Sequence, residues 1–255
     1  AAKIADPGFD STKIAAIGIT NQRETFGLWD RSTGASLGKA IVWQCRRSDQ
    51  ICKKLAKTAA GKKLASTTGL VLDPYFSGTK LKWRFDEDKN LKSRAQKGEI
   101  AFGTMDTYLV WKLTAGRAHV TDPSNASRTL LMDLKSAAWS AGCLKTLGIP
   151  KGILPEIKDS DACFGKTHAL GFLPDGIPVH GILGDQQAAL FGQECFAVGE
   201  AKVTYGTGAF LLLNTGKKIK KMKSGLSTVA WRRKGKTTYA AEGSVFIAGA
   251  AVQWL

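Results

Sequence analysis

With 255 residues, 44% of them hydrophobic, the chain is long enough to bury a large core and to hold more than one domain. Its longest apolar run, residues 245–252, falls far short of the roughly 20 residues of a membrane span, and no basic-then-apolar signal segment opens it; five scattered cysteines without a CxxC pair argue against a disulfide framework or a zinc site and for a reducing, cytoplasmic setting. A formal charge of +16 invites a nucleic-acid partner, but the lysines are spread over helices and hairpins rather than interleaved with aromatics, which reads as a solvated surface with no specific nucleic acid.

Residues 13–20 form a short, partly β-branched apolar run that predicts a buried strand, and it delivers Asn21-Gln-Arg-Glu-Thr25 at its carboxyl end. Residues 25–30 continue as a strand, 31–34 turn, and 40–43 predict a further strand. A helix starts near Ser48-Asp49, whose side chains can cap it, with Ile51, Cys52, Leu55 and Ala59 as its apolar face. Residues 69–79 hold too many turn formers for a helix and too many large apolar groups for a linker, so they predict a packed loop. Helical segments follow at 80–85 and 91–97, a short strand at 100–102, and a helix at 106–113 that stops before Ala115-Gly116. The polar run 121–128 predicts a loop, and 144–147 a short helix. His119, His168 and His180 are far apart and form no ligand pattern, so all three read as structural.

The central stretch is Gly181-Ile-Leu-Gly-Asp-Gln-Gln-Ala-Ala-Leu-Phe-Gly-Gln193, an apolar strand running into glycine, a carboxylate, two amides and an apolar helix. Gly184 is expected to supply backbone freedom at the turn. Asp185 has two possible jobs, capping the first turn of the helix or projecting into a crevice at the carboxyl end of the sheet. Beyond it, 201–205, 209–214, 227–232 and 237–241 are four consecutive strand candidates, and a helix is expected from Ser244 onward. A second sheet therefore starts near residue 195. Four strands and the first turns of one helix cannot cover both faces, so the chain is expected to end inside a domain.

Several motifs occur together and in order: Asn21-Gln-Arg-Glu-Thr25, Ile41-Val-Trp-Gln-Cys-Arg-Arg47, Asp73-Pro-Tyr-Phe-Ser-Gly-Thr-Lys80, Phe102-Gly-Thr-Met-Asp-Thr107, Ser124-Asn-Ala-Ser-Arg-Thr129, Gly184-Asp-Gln-Gln-Ala-Ala189 and Thr204-Tyr-Gly-Thr-Gly208. In this order and spacing the sequence closely resembles the glycerol kinases of the carbohydrate-kinase family. The resemblance implies an α/β, ribonuclease-H-like, actin-like ATPase fold with two domains closing over a cleft. Residues 1–194 would form most of the first domain, without its phosphate-loop hairpin, and 195–255 the beginning of the second. It further implies ATP and Mg²⁺ as cofactors, glycerol as acceptor and ADP as product, and is compatible with a homo-oligomer.

Residue by residue, the resemblance places Arg23, Glu24, Tyr75, Asp185 and Gln186 on the glycerol hydroxyls, with Trp43 and Phe210 flanking the carbon skeleton. Asp185 would be the general base for the attacking hydroxyl. Gly206, Thr207 and Gly208 would meet the nucleotide phosphates, with Gly249 and Gln253 on the same side of the cleft; no metal-ligating residue is assigned. Taken alone, a Gly-Thr-Gly between strands is a hairpin turn, Trp43 and Phe210 would serve as core, and Arg23 with Glu24 as a surface pair. The family's Asp-x-Gly-Thr-Thr/Ser phosphate motif is absent, Asp6-Pro-Gly-Phe9 not being one, so these 255 residues alone are expected to be inactive. The loop 170–176 also lacks the Gly-rich, Arg-bearing run by which some bacterial glycerol kinases bind fructose 1,6-bisphosphate. Two alternatives remain, a kinase for another polyol or ketose, and a catalytically dead relative that acts by binding.

Overall fold

The computed structural model describes residues 10–220, 222 and 225–255, so Asp6-Pro-Gly-Phe9 and part of the lysine run 217–223 lie outside the described residues. In chain order the elements are β1 (Ile17–Asn21), β2 (Phe26–Asp30), α1 (Asp49–Ala56), α2 (Ala59–Thr68), α3 (Ser77–Glu87), α4 (Lys89–Gln96), β3 (Ile100–Thr104), α5 (Met105–Leu113), β4 (Val120–Thr121) and α6 (Pro123–Ala126). There follow β5 (Met132–Asp133), β6 (Ala138–Trp139), α7 (Ala141–Leu147), β7 (Glu156–Ile157), β8 (Gly165–Lys166), β9 (Pro178–Gly184), α8 (Asp185–Gly192), β10 (Ala201–Tyr205), β11 (Ala209–Gly216), β12 (Leu226–Arg233), β13 (Lys236–Val245) and α9 (Gly249–Trp254).

Two pairings position the site. Strand β1 runs parallel to β9, with Asn21 opposite Gly184, so the polar turn after β1 and the first residue of α8 emerge side by side at the carboxyl ends of the two strands. That is where open α/β sheets expose ligand-binding groups. The second sheet is antiparallel in the order β10-β11-β13-β12. Leu190 of α8 packs against its Leu212, Ala230, Trp231 and Ala240, while Val229 and Tyr239 join Ala126, Met132 and Leu134 in another cluster. The largest core gathers Phe26, Leu28 and Phe102 of the β2–β3 pair with Leu81, Phe85, Leu91 and Leu147 from the surrounding helices. Burial of about 1.5–3 kcal/mol per large apolar side chain holds these layers together.

Several expectations are corrected. Residues 40–43 are not a strand: only Ile41 exchanges backbone bonds with Phe26, because the next carbonyl, Val42, is taken by Lys80 Nζ at 3.1 Å. Ser48 does not cap α1; its hydroxyl meets Thr79 Oγ1 at 3.0 Å, and Asp49 pairs with Lys53. The helix stops at Ala56, and Ala59 opens α2 beyond a Thr58 cap. The packed loop ends at Phe76, where α3 begins. Residues 121–128 are not a loop, since Asp122 caps the short α6 by accepting from Ser124 N and Asn125 N, and the segment is buried. The last helix starts at Gly249 because Ser244 and Val245 still pair with Phe210 and Ala209. Gly184 has an ordinary φ of −58°. Its role is space: a Cβ there would lie 2.7 Å from Arg23 Cγ and 2.9 Å from Cδ.

Candidate active site

The turn between β1 and β2 is held in an uncommon conformation. Glu24 has φ 62°, a left-handed backbone that costs a non-glycine residue about 1–3 kcal/mol unless its surroundings impose it. Here Thr25 N donates to Arg23 O at 2.7 Å and Ser77 Oγ, at the start of α3, donates to Glu24 O at 2.8 Å. The outcome is that Arg23 and Glu24 point into the molecule, and both are almost fully buried.

Their partners come from distant segments. Arg23 grips Glu242 of β13 with both terminal nitrogens, Nη1 to Oε2 at 2.5 Å and Nη2 to Oε1 at 3.0 Å. It also donates to Tyr75 Oη at 3.2 Å and to Gln187 Oε1 at 3.3 Å. Arg128, just beyond α6, donates from Nε to Glu24 Oε1 at 2.6 Å and from Nη2 to Glu242 Oε1 at 2.9 Å. Two cations thus face two carboxylates in the core, the arrangement under which buried ions are tolerated. Burial pushes the Glu24 carboxyl above its ordinary value, with Arg23 and Arg128 pulling against it. At Glu242 burial acts the same way, but Arg128 and Arg23 together outweigh it and hold the carboxyl below the ordinary value.

Asp185 stands at the edge of this cluster. It does not cap α8: Gly184 occupies the N-cap position and no side-chain cap is made. Instead the side chain turns to the cleft, 42% exposed, with Oδ1 3.5 Å from Arg23 Nε. Oδ2 accepts from Gln186 Nε2 at 3.1 Å. Oδ1 is buried and accepts no hydrogen bond. Lys202 of β10, itself buried, donates to Gln186 Oε1 and, at 2.7 Å, to Thr204 Oγ1.

Aromatic rings wall the opening. Trp43 stands edge-on to Tyr75 at 5.7 Å and to Phe210 at 6.3 Å between ring centroids. Phe246 closes the group, 5.1 Å from Tyr75 and 6.3 Å from Trp43. Lys80 Nζ fixes two of these walls from behind by donating to Val42 O and, at 2.9 Å, to Tyr75 O, and burial lowers its pKa to about 8. A cavity of about 270 Å³ lined by Trp43, Gln44, Arg46, Tyr75, Thr207, Phe246 and Ile247 leads from the rings to the Gly206-Thr207-Gly208 turn.

That turn is built from backbone. Gly206 N donates to Gly208 O at 2.8 Å, Gly249 N to Gly206 O at 2.9 Å and Ala248 N to Thr207 O at 2.8 Å, so the turn and the start of α9 form one unit. A Cβ on Gly249 would lie 2.4 Å from Gly206 O, and one on Gly208 would lie 2.7 Å from Val245 O. Both positions therefore need glycine for close approach. Gln253 is exposed on α9, and among the described residues no side-chain hydrogen bond joins it to the other candidate residues.

Sequence reasoning brought Arg23, Glu24, Tyr75, Asp185 and Gln186 to one place, with Trp43 and Phe210 as neighbours and Thr207 on the same cavity. It missed Glu242, Lys202, Phe246 and the roles of Arg128 and Gln187. A charged residue in the apolar run Tyr239-Ala-Ala-Glu242 was the available signal for the first.

A part-exposed carboxylate set where a parallel strand pair gives way to a helix, together with a glycine-bounded backbone turn on an aromatic-lined cavity, is the layout of a sugar-type kinase of the actin-like ATPase fold. The chain belongs to the FGGY family of carbohydrate kinases, whose N-terminal-domain profile matches residues 1–192. It is 57% identical over 251 residues to a glycerol kinase of Myxococcus xanthus, covering 97% of this chain and 51% of that protein. To a glycerol kinase of Bdellovibrio bacteriovorus it is 55% identical over 246 residues, covering 96% and 50%. The chain thus spans about half the length of the curated relatives it matches. Among solved structures, Plasmodium falciparum glycerol kinase with ADP superposes with a TM-score of 0.88 at 40% identity, over 94% of this chain and 48% of that one. A xylulose kinase from Lactobacillus acidophilus, at 22% identity and a TM-score of 0.82 over 95% and 48% of the two chains, shares the fold.

Proposed function

We propose that the protein carrying this chain transfers the γ-phosphoryl group of ATP to glycerol, giving sn-glycerol 3-phosphate and ADP. The observation that supports this most is the Asp185 carboxylate, 42% exposed at the carboxyl end of β9, with Oδ1 anchored 3.5 Å from the buried Arg23 Nε. The exposed part of that carboxylate is open to a hydroxyl proton. A triol brings hydroxyl donors to it and an apolar backbone to the faces of Trp43 and Phe210.

In this reading Asp185 takes the proton of the attacking hydroxyl as the phosphorus–oxygen bond forms, a role worth about 10²- to 10⁴-fold in rate. Arg23, Glu24, Tyr75 and Gln186 hold the remaining hydroxyls. Arg23 and Glu24 act from beneath the cleft wall, through the edge of the cluster nearest Asp185. Gly206, Thr207, Gly208, Gly249 and Gln253 form the nucleotide side, where the Thr207 hydroxyl donates to phosphate oxygens. Positioning and charge stabilisation supply nearly all the catalysis of phosphoryl transfer, which accounts for the buried scaffolding behind so few reacting groups. Mg²⁺ accompanies ATP in this class of reaction, but among the described residues no group of three or more His, Cys, Asp or Glu is placed to hold a metal ion. Such an ion is held by one or two carboxylates together with the nucleotide's own phosphates.

The same reading divides the chain near residue 194, the part before it belonging to the acceptor-binding domain and the part from 195 to the nucleotide-binding one. Among the described residues no helix is long and apolar enough to cross a membrane. The scattered, unpaired cysteines support a reducing, cytoplasmic setting. The test is ADP release by the complete protein with glycerol, xylulose and gluconate offered separately. Glycerol should be preferred by kcat/KM, and a preference for either sugar substrate would replace it as acceptor.

A further inference from the structure

Lys202 is a buried cation whose two partners, Gln186 Oε1 and Thr204 Oγ1, are both neutral. A lysine ammonium has three donors and no acceptor. Whatever amide atom faces it must therefore be the oxygen, and the opposite atom of Gln186, facing Asp185 Oδ2 at 3.1 Å, must be the nitrogen. The carboxylate already disfavours the flipped form, which would aim an oxygen at it, and the ammonium on the other side adds to that preference and holds the amide in place. Thr204 holds the ammonium from the side; it lies two residues along β10 and so on the same face as Lys202.

From this relay we propose that Lys202 is a positioning residue for phosphoryl transfer: it locks Gln186 as a donor to Asp185 Oδ2, which holds the carboxylate in one orientation with Oδ1 against Arg23 Nε. The inference rests on the functional reading above. Keeping a lysine here has a cost. Burial lowers its pKa to about 8, and Arg23 adds to that shift while Glu242, Asp185 and Cys195 oppose it. An apolar replacement of similar length is thus expected to be no less stable. A purely structural lysine would behave otherwise, with stability and activity falling together.

The experiment is a double-mutant cycle in the complete protein, with kcat measured at saturating glycerol and ATP and melting followed in parallel. Lys202→Met should lower kcat by about 10- to 100-fold without lowering the melting temperature, the scale expected when a reacting group is misplaced. In a Gln186→Ala background the same substitution should change kcat by less than about 3-fold, because its effect passes through Gln186. As a second variant, Gln186→Glu keeps the Lys202 contact as an ion pair but removes the N–H donor and sets an oxygen against Asp185 Oδ2; it should lose turnover. Multiplicative losses in the cycle, or wild-type turnover in Lys202→Met or Gln186→Glu, would overturn the lock. A wild-type protein with no glycerol-dependent ADP release would overturn the functional reading itself, and the lock with it.

Discussion

The two sides of the cleft are made of different materials. On the acceptor side, charged side chains from the β1–β2 turn, the segment after α6, β10 and β13 are nested in the core, and Arg23 with Arg128 share the Glu242 carboxylate. On the nucleotide side, Gly206, Thr207 and Gly208 are joined to the start of α9 by backbone bonds alone, and Thr207 is exposed. A small uncharged acceptor must be recognised by several side-chain groups at fixed angles, which calls for a rigid, buried frame. A phosphate chain can be met by backbone amides and a hydroxyl, which calls mainly for glycine. Damage to the Arg23–Arg128–Glu242 cluster of the first side should therefore appear in stability and chemistry together, damage to its exposed carboxylate in chemistry alone, and damage to the second side in nucleotide kinetics alone.

The largest effect expected is at Asp185. Asp185→Asn in the complete protein should lower turnover by about 10²- to 10⁴-fold with an unchanged melting curve, since the side chain makes no cap and is partly exposed. Retention of more than about a tenth of the wild-type rate would reduce Asp185 to a binding residue.

Glu242→Ala comes next. It leaves Arg23 and Arg128 buried without their shared partner, and a broken buried pair costs about 3–5 kcal/mol. Urea unfolding should register that loss, and a change below about 1 kcal/mol would mean that water or Glu24 compensates and that the buried frame is not rigid. This residue also marks the limit of what the sequence could reveal. The place of Asp185 at a strand–helix junction was legible because Gly-Asp-Gln-Gln follows an apolar strand, but the same local pattern also fitted a cap, which the structure does not make. Glu242 lies 219 positions from Arg23, and nothing in either segment announces the other. Lys80 and Lys202 were invisible for a related reason, since a lysine in sequence reads as solvated surface and only packing reveals it as buried. The strands from 201 onward were readable from alternation. The segment 40–43 was misread because the carbonyl of Val42 bonds to a side chain, Lys80, instead of to a neighbouring strand.

Buried lysine on the acceptor side predicts a smaller, pH-dependent effect. Lys80 has its pKa lowered by burial from 10.5 to about 8. Between those values the folded state sheds a proton that the unfolded state keeps, so its contribution to stability rises with pH across that window. Unfolding free energies measured from about pH 7.5 to 10.5 should therefore climb more steeply for the wild type than for Lys80→Met. Parallel slopes would show that the ammonium is solvated.

Thr207→Ala should have the smallest effect on stability, within about 0.5 kcal/mol, as expected for an exposed residue without structural bonds through its side chain. It should raise KM for ATP and leave KM for glycerol in place. A loss of stability comparable to that of Glu242→Ala would erase the contrast between the two sides.

The most direct measurement is a crystal structure of the complete protein with glycerol and a non-hydrolysable ATP analogue. The account predicts one glycerol hydroxyl within hydrogen-bonding distance of the Asp185 carboxylate, aligned with the terminal phosphate, and the carbon skeleton between Trp43 and Phe210. Glycerol bound away from the Asp185 carboxylate, or with a different carboxylate at the hydroxyl facing the phosphate, would contradict it.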